Sequence, residues 1–186
     1  MKLREKEAAR TKRKIYETSL KLFQEKGYAN VTIKDIAEKS KVAVGSFYNY
    51  FSTKSDIITE EFREGDIAFE NFFNNDLKGD TLKIKIKNYM LFYIDFILSK
   101  PFDFIKEIYV SDNKLFVKKG RKMQTLLIGT VTDAIANNEI NTKLSPEEYI
   151  DYLYTLLRGL IYNWVVREKS FDLKELATRY LDEIVH

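Results

Sequence analysis

Val31-Thr-Ile-Lys-Asp-Ile-Ala-Glu-Lys-Ser-Lys-Val-Ala-Val-Gly-Ser-Phe-Tyr-Asn-Tyr-Phe-Ser-Thr-Lys54 reads as two short helices joined by a tight turn. Thr32, followed three residues later by Asp35, is a capping arrangement for a first helix that carries Ile33, Ile36 and Ala37 on its apolar side and ends near Ser40. The turn spans Ser40 to Ala43, and a second short helix covers Val44 to Tyr50. Ile36, Ala37, Val42, Phe47 and Phe51 are expected to pack inward and fix the angle between the two helices, leaving Ser46, Tyr48 and Asn49 outward. This is the pattern of a helix-turn-helix, whose second helix can enter a major groove.

Working outward, Glu5 to Lys26 places Ala8, Ile15, Ser19, Leu22 and Phe23 on one stripe, and Gly27 sits where a left-handed residue would end that helix. Downstream, Ser52, Thr53 and Asp56 offer caps for a longer helix with Ile57, Ile58 and Phe62. Phe69, Phe72 and Phe73 extend it until Asn74-Asn75-Asp76 and Gly79-Asp80 break it. Thr81 to Ser99 form the next helix, and its segment Tyr89 to Leu98 is apolar nearly all round, which predicts a helix enclosed on most sides. Pro101 restarts the chain. Ser145-Pro146-Glu147-Glu148 joins an N-cap serine, a proline at the first helical position and a glutamate at the third, so a long helix follows. It carries Ile150, Leu153, Leu156, Leu157, Leu160, Ile161, Trp164 and Val165. Asp172 with Glu175 opens a last helix bearing Leu173, Leu176, Tyr180, Ile184 and Val185. With two prolines, seven glycines and no alternating runs between hairpin signals, the expected fold class is all-α.

The charge is unevenly placed. Residues 1–54 hold thirteen basic and six acidic side chains, a balance of +7, whereas the whole chain of 186 residues carries only +3. A basic first third points to a polyanion such as nucleic acid as its partner; the plainer reading is a lysine-rich solvated surface. Cysteine is absent and the one histidine is His186, so thiolate metal sites, His-metal sites and Ser–His or Cys–His catalysis cannot be assembled. No enzyme, cofactor or metal is expected. The first ten residues are densely charged, and no apolar run is long enough to span a bilayer, so the expected location is the cytoplasm without membrane association.

The spacing Thr32, Ile36, Ala37, Val42, Gly45, Phe47, Tyr48, Tyr50, Phe51 and Lys54 closely resembles that of the tetracycline-repressor (TetR) family of bacterial regulators. At the level of motif the resemblance covers about residues 8–60. It implies an N-terminal three-helix helix-turn-helix DNA-binding domain, residues 1–53, followed by a helical effector-binding and dimerisation domain, residues 54–186. Carried over, it implies DNA contacts from Thr32 and Lys34 at the first helix, from Val44, Gly45 and Ser46 where the recognition helix opens, and from Tyr48, Asn49, Tyr50 and Lys54. Each has a purely structural alternative: Thr32 as a cap, Lys34 as a surface residue, Tyr48 and Tyr50 as half-buried packing residues. Two positions depart from the pattern. Lys41 stands where the family often has glycine, and Ala43 where it often has a capping Ser or Thr, a loss of about 1 kcal/mol of capping.

A lone recognition helix reads few base pairs, so specificity calls for paired half-sites and a homodimer on double-stranded operator DNA. The apolar excess of the last two helices points to a four-helix contact between copies, through Leu153, Leu156, Leu157, Gly159, Leu160, Tyr180 and Ile184. Nineteen aromatic residues lie between Phe62 and His186, and the resemblance implies an effector pocket among them. Tyr89, Phe92, Tyr93, Phe96, Phe102, Phe104, Tyr109 and Trp164 are its candidate lining, suited to a lipophilic or aromatic ligand. Asp95 and Arg158, isolated charges in apolar surroundings, should be paired, solvent-facing or ligand-facing. The expected function is thus transcription regulation, in the family's usual mode a repressor released by a small effector. The alternative is a helical small-molecule-binding protein whose DNA binding has degenerated.

Overall fold

The computed structural model describes residues 3–110 and 120–185, and among these every regular element is a helix. The helices are α1 (Leu3–Lys26), α2 (Ile33–Lys39), α3 (Val44–Tyr48), α4 (Asp56–Asn71), α5 (Leu82–Leu98), α6 (Phe102–Val110), α7 (Lys122–Thr125), α8 (Ile128–Ala136), α9 (Pro146–Val166) and α10 (Leu173–Ile184). His186 lies outside the described residues. No helix among them is long and apolar enough to cross a membrane.

Two compact units result. The first comprises the described residues of 1–63 and 100–113. Its core is Ile15, Leu22, Phe23, Val31, Ile36, Ala37, Phe47, Phe51 and Ile57, all at most 3% exposed, while Val42 is half-buried. The unit therefore runs past the boundary expected at residue 53 and takes in α6. The reason is aromatic packing, since Phe104 of α6 is buried with its ring 5.5 Å from that of Phe23. An ionic cluster lies beneath α4. Lys12 (2.5 Å) and Arg63 (2.5 Å) hold Glu60, and Lys100 (3.0 Å) and the Tyr16 hydroxyl hold Glu61. Burial alone would raise the Glu60 pKa, but the hydrogen bonds from Arg63 and Lys12 outweigh it, and the carboxyl titrates below its usual range.

The second unit comprises the described residues of 64–99 and 114–186. Helix α5 packs against α8, α9 and α10, which is why both sides of the Tyr89–Leu98 run are apolar. After Asn71 the chain makes one π-helical turn, Phe72–Asp76, closed by Leu77 N–H donating to Phe72 O at 2.8 Å. That turn lays the Phe72 ring flat on Phe92, with centroids 4.1 Å apart. The hydroxyls of Tyr89 and Tyr154 both donate to Met123 O, at 2.8 and 3.0 Å, so two buried phenols share one acceptor, and burial pushes both pKa values up. Asp95 is half-exposed and paired with Lys174 at 2.7 Å. The Arg158 guanidinium lies 5.3 Å from the Tyr154 ring centroid.

Candidate nucleic-acid interface

The first unit presents α2 and α3 packed against each other. The N-terminus of α2 is closed by a reciprocal cap. Asp35 N–H donates to Thr32 Oγ1 (3.1 Å), while Thr32 N–H (2.9 Å) and Thr32 Oγ1 (2.5 Å) donate to the Asp35 carboxylate. The Thr32 hydroxyl bond first, then the backbone bond and Lys26 at 3.3 Å, lower the Asp35 pKa to about 2. Thr32 and Lys34 are both exposed at this end. Because the Thr32 hydroxyl already donates to Asp35, a phosphate at this position would compete with that carboxylate for the proton.

Helix α3 has one buried anchor, Phe47, at 0% exposure. Its other face is open: Val44 is 43% and Tyr48 52% exposed, Gly45 and Asn49 are exposed, and Ser46 and Tyr50 are half-buried. An added Cβ at Gly45 would meet nothing within 4 Å, so glycine there leaves the approach to the backbone open. Exposed valine and tyrosine beside an amide make a surface able to meet a thymine methyl, a base edge and a phosphate. At the following junction, Asp56 accepts from Ser52 N–H (2.6 Å) and Thr53 N–H (3.0 Å).

Lys54 is placed differently from the other candidates. Its ammonium is turned into the α1–α2 connection, donating to Tyr28 O (2.7 Å), Val31 O (3.0 Å) and Ala29 O (3.4 Å), with its nitrogen 4.4 Å from the Tyr28 ring centroid. Nothing in local sequence announces this, because the acceptors lie 23 to 26 residues upstream.

The aromatic candidates for an effector lining divide. Phe102, Phe104 and Tyr109 stand on α6 in the first unit, and Phe104 belongs to the core there because it is buried against Phe23. In the second unit Tyr89, Phe92 and Phe96 gather around Phe69, with centroids 4.9 to 5.9 Å away. Tyr93 meets Tyr154 edge-on at 5.3 Å, and Trp164 is 7% exposed. One surface cavity of about 290 Å³ is lined by Phe72, Leu91, Phe92, Asn88, Asp95 and Lys174, among others. Another of about 220 Å³ has Gln124, Thr125, Ile128, Glu147 and Ile150 in its wall. Phe92 alone of the eight candidates lines either. Among the described residues no group of carboxylates and histidines could hold a metal ion.

The dimer candidates also divide. Leu153 and Leu157 are 0% and Leu160 6% exposed within the single chain, so these three complete its own core. Leu156 and Ile184 are half-buried, Gly159 is exposed and Tyr180 is 42% exposed. The open face of α9 carries Tyr152 at 43%, Tyr162 at 51% and Val166 at 57% exposure, residues outside the candidates that apolar periodicity picks out.

The family description "Bacterial regulatory proteins, tetR family" matches residues 15–60, and "MAATS-type transcriptional repressor, C-terminal region" matches residues 96–186. The HTH-type transcriptional regulator LuxR of Vibrio harveyi is 28% identical over 182 residues, covering 92% of this chain and 87% of its own length. The fatty acid metabolism regulator protein of Bacillus subtilis is 24% identical over 186 residues, covering 92% of each. Among solved structures, the transcriptional regulator FadR from Bacillus subtilis in complex with stearoyl-CoA shares the fold with a TM-score of 0.73, at 21% identity over 92% of this chain and 96% of that one. The N-terminal family match spans the capped α2 and the half-exposed α3 described above, the C-terminal family match runs through α9 and α10, and the chain is a member of the TetR family of transcriptional regulators.

Proposed function

We propose that the protein is a homodimeric repressor that holds a palindromic operator through α2 and α3 and releases it when an amphipathic effector occupies the second unit. The observation that carries the DNA part is the two-sidedness of α3: Phe47 is wholly buried while Val44, Gly45, Tyr48 and Asn49 of the same two turns stand in solvent. A helix that short gains little from its own hydrogen bonds, so its exposed apolar and aromatic surface is better accounted for by a partner than by folding. In this reading Thr32, Tyr48 and Tyr50 meet phosphates, Asn49 and Lys34 meet phosphates or base edges, and Val44, Gly45 and Ser46 enter the groove. Two copies supply two half-sites about one helical turn apart.

The effector class is supported by the relative solved with stearoyl-CoA and by the aromatic density around Phe69. An acyl thioester therefore comes first among ligands to try. The test has two stages. Selection from random duplexes by the full-length protein should return an inverted repeat, which should then be titrated with stearoyl-CoA. Recovery of no preferred sequence would favour a ligand-binding protein with degenerate DNA binding, the reading that Lys41 and Ala43 support. Recovery of a palindrome whose affinity is insensitive to acyl thioesters would retain the regulator and remove this effector class.

A further inference from the structure

We infer that Lys54 is a positioning residue for the DNA-facing end of α2 rather than a ligand of the DNA backbone. This rests on the operator-binding role proposed above. A lysine ammonium has three protons and no more. In this structure three carbonyls converge on it, those of Tyr28, Ala29 and Val31, at 2.7, 3.4 and 3.0 Å, and the Tyr28 ring lies on another side at 4.4 Å. Every donor is used inside the protein, so none is left for a phosphate oxygen unless a carbonyl is released. Val31, whose carbonyl is one of the three, is itself only 1% exposed, and an acceptor released there loses its partner in partly buried surroundings.

The acceptors show what the bond achieves. They belong to the connection between Gly27, whose left-handed φ of +78° ends α1, and Thr32, the N-cap of α2. Carbonyls following a helix C-terminus carry partial negative charge, so this loop, left bare, would repel both itself and an approaching phosphate. The Lys54 charge draws the three oxygens together from below, while Asp35 and Lys26 hold the other side of the loop through Thr32. Val31 is the residue immediately before Thr32. The cage therefore fixes where the N-cap and the first free N–H groups of α2 point. It also explains the residue type: three acceptors converging on one point suit a compact ammonium, whose three N–H groups radiate from a single nitrogen, whereas no nitrogen of a planar guanidinium carries more than two.

The test compares wild-type full-length protein with Lys54→Met, Lys54→Arg and Lys34→Met on the selected operator, by fluorescence anisotropy over a series of KCl concentrations at which circular dichroism shows each variant folded. A phosphate contact and a positioning role separate by salt slope and by rescue. Lys34→Met, a direct contact in the proposed reading, should lower the slope of log affinity against log salt by about 0.9. Lys54→Met should weaken binding by about tenfold or more with the slope unchanged, and Lys54→Arg, although it keeps the charge, should not restore it. Faster amide exchange at Thr32 and Ile33 in Lys54→Arg should accompany the loss, and can be read even if Lys54→Met does not fold. Restored affinity in Lys54→Arg, a slope reduced in Lys54→Met, or folded variants that bind like wild type would each overturn the proposal. A wild-type protein without duplex preference would instead overturn the operator-binding role itself, and the assignment with it.

Discussion

Lys41 and Ala43 stand side by side in the turn between α2 and α3, and each costs stability for a separate reason. Lys41 adopts a left-handed backbone, φ +55°, a region that costs an L side chain about 1–2 kcal/mol. Glycine is free of that penalty but loses more entropy on folding. Lys41→Gly should therefore stabilise the protein by about 0.5–1 kcal/mol, read as a higher denaturant midpoint, and a lower midpoint would show that the lysine side chain makes a contact worth more than the strain. Ala43 holds an N-cap conformation, φ −65° and ψ 148°, without any side-chain acceptor. Ala43→Ser supplies one for the free N–H groups of α3 and should add about 1 kcal/mol, a rise of roughly 2–4 °C in Tm for a chain of this size. Both departures from the family pattern are visible in sequence, but only the backbone angles turn them from oddities into quantities.

The helix ends were legible wherever the cap is local. Thr32 with Asp35, Thr81, Ser145 with Glu148, and Asp172 with Glu175 each cap their helix through a bond spanning three residues, and α2, α5, α9 and α10 begin where those residues predict. Helices α7 and α8 were not legible. Met123 N–H and the Arg121 guanidinium are tied to Asp66, more than 50 residues upstream, at 3.3 and 3.1 Å, and α8 opens from Leu127 without a side-chain cap. Local capping also makes a pH prediction at this scale. The hydrogen bonds that depress Asp35 and Glu148 favour the ionised form, so their contribution is complete above the usual carboxylate range and is lost as each group protonates, for Asp35 as pH falls toward about 2. Asp35→Asn should lower Tm at pH 7 and converge on wild type as the pH nears 2, and a constant difference across that range would assign the loss to packing instead. For α3, Tyr48→Ala should leave Tm within about 1 °C because the side chain is largely in solvent, while weakening operator binding by about tenfold or more; unchanged affinity would remove Tyr48 from the interface.

At the scale of the whole molecule, α9 carries information on two opposite faces. Ile150, Leu153, Tyr154, Leu157, Ile161 and Val165 are at most 2% exposed and account for its place in the second unit. Tyr152, Gly159, Tyr162 and Val166 recur at intervals of three, four and seven on the other side. Three of these four are large apolar side chains between 43 and 57% exposed, and a stripe of that kind on a helix already fixed to its own core is the face we propose for the second copy. Periodicity alone puts Leu153 and Leu157 among the residues expected between copies, because it reports an apolar helix without saying which stripe the chain uses for itself. Gly159 discriminates between the two faces, since a Cβ added there meets no atom within 4 Å in the single chain. Gly159→Leu should therefore leave the isolated protomer intact, and even favour its helix by about 1 kcal/mol, yet block a partner helix that crosses at that point. Analytical ultracentrifugation should show the wild type near twice 22.0 kDa and Gly159→Leu as a folded single chain. Operator affinity should fall with it by about a hundredfold or more, because one recognition helix binds little better than non-specifically. A Gly159→Leu variant that remains dimeric and binds operator as wild type does would place the symmetric contact elsewhere on the chain.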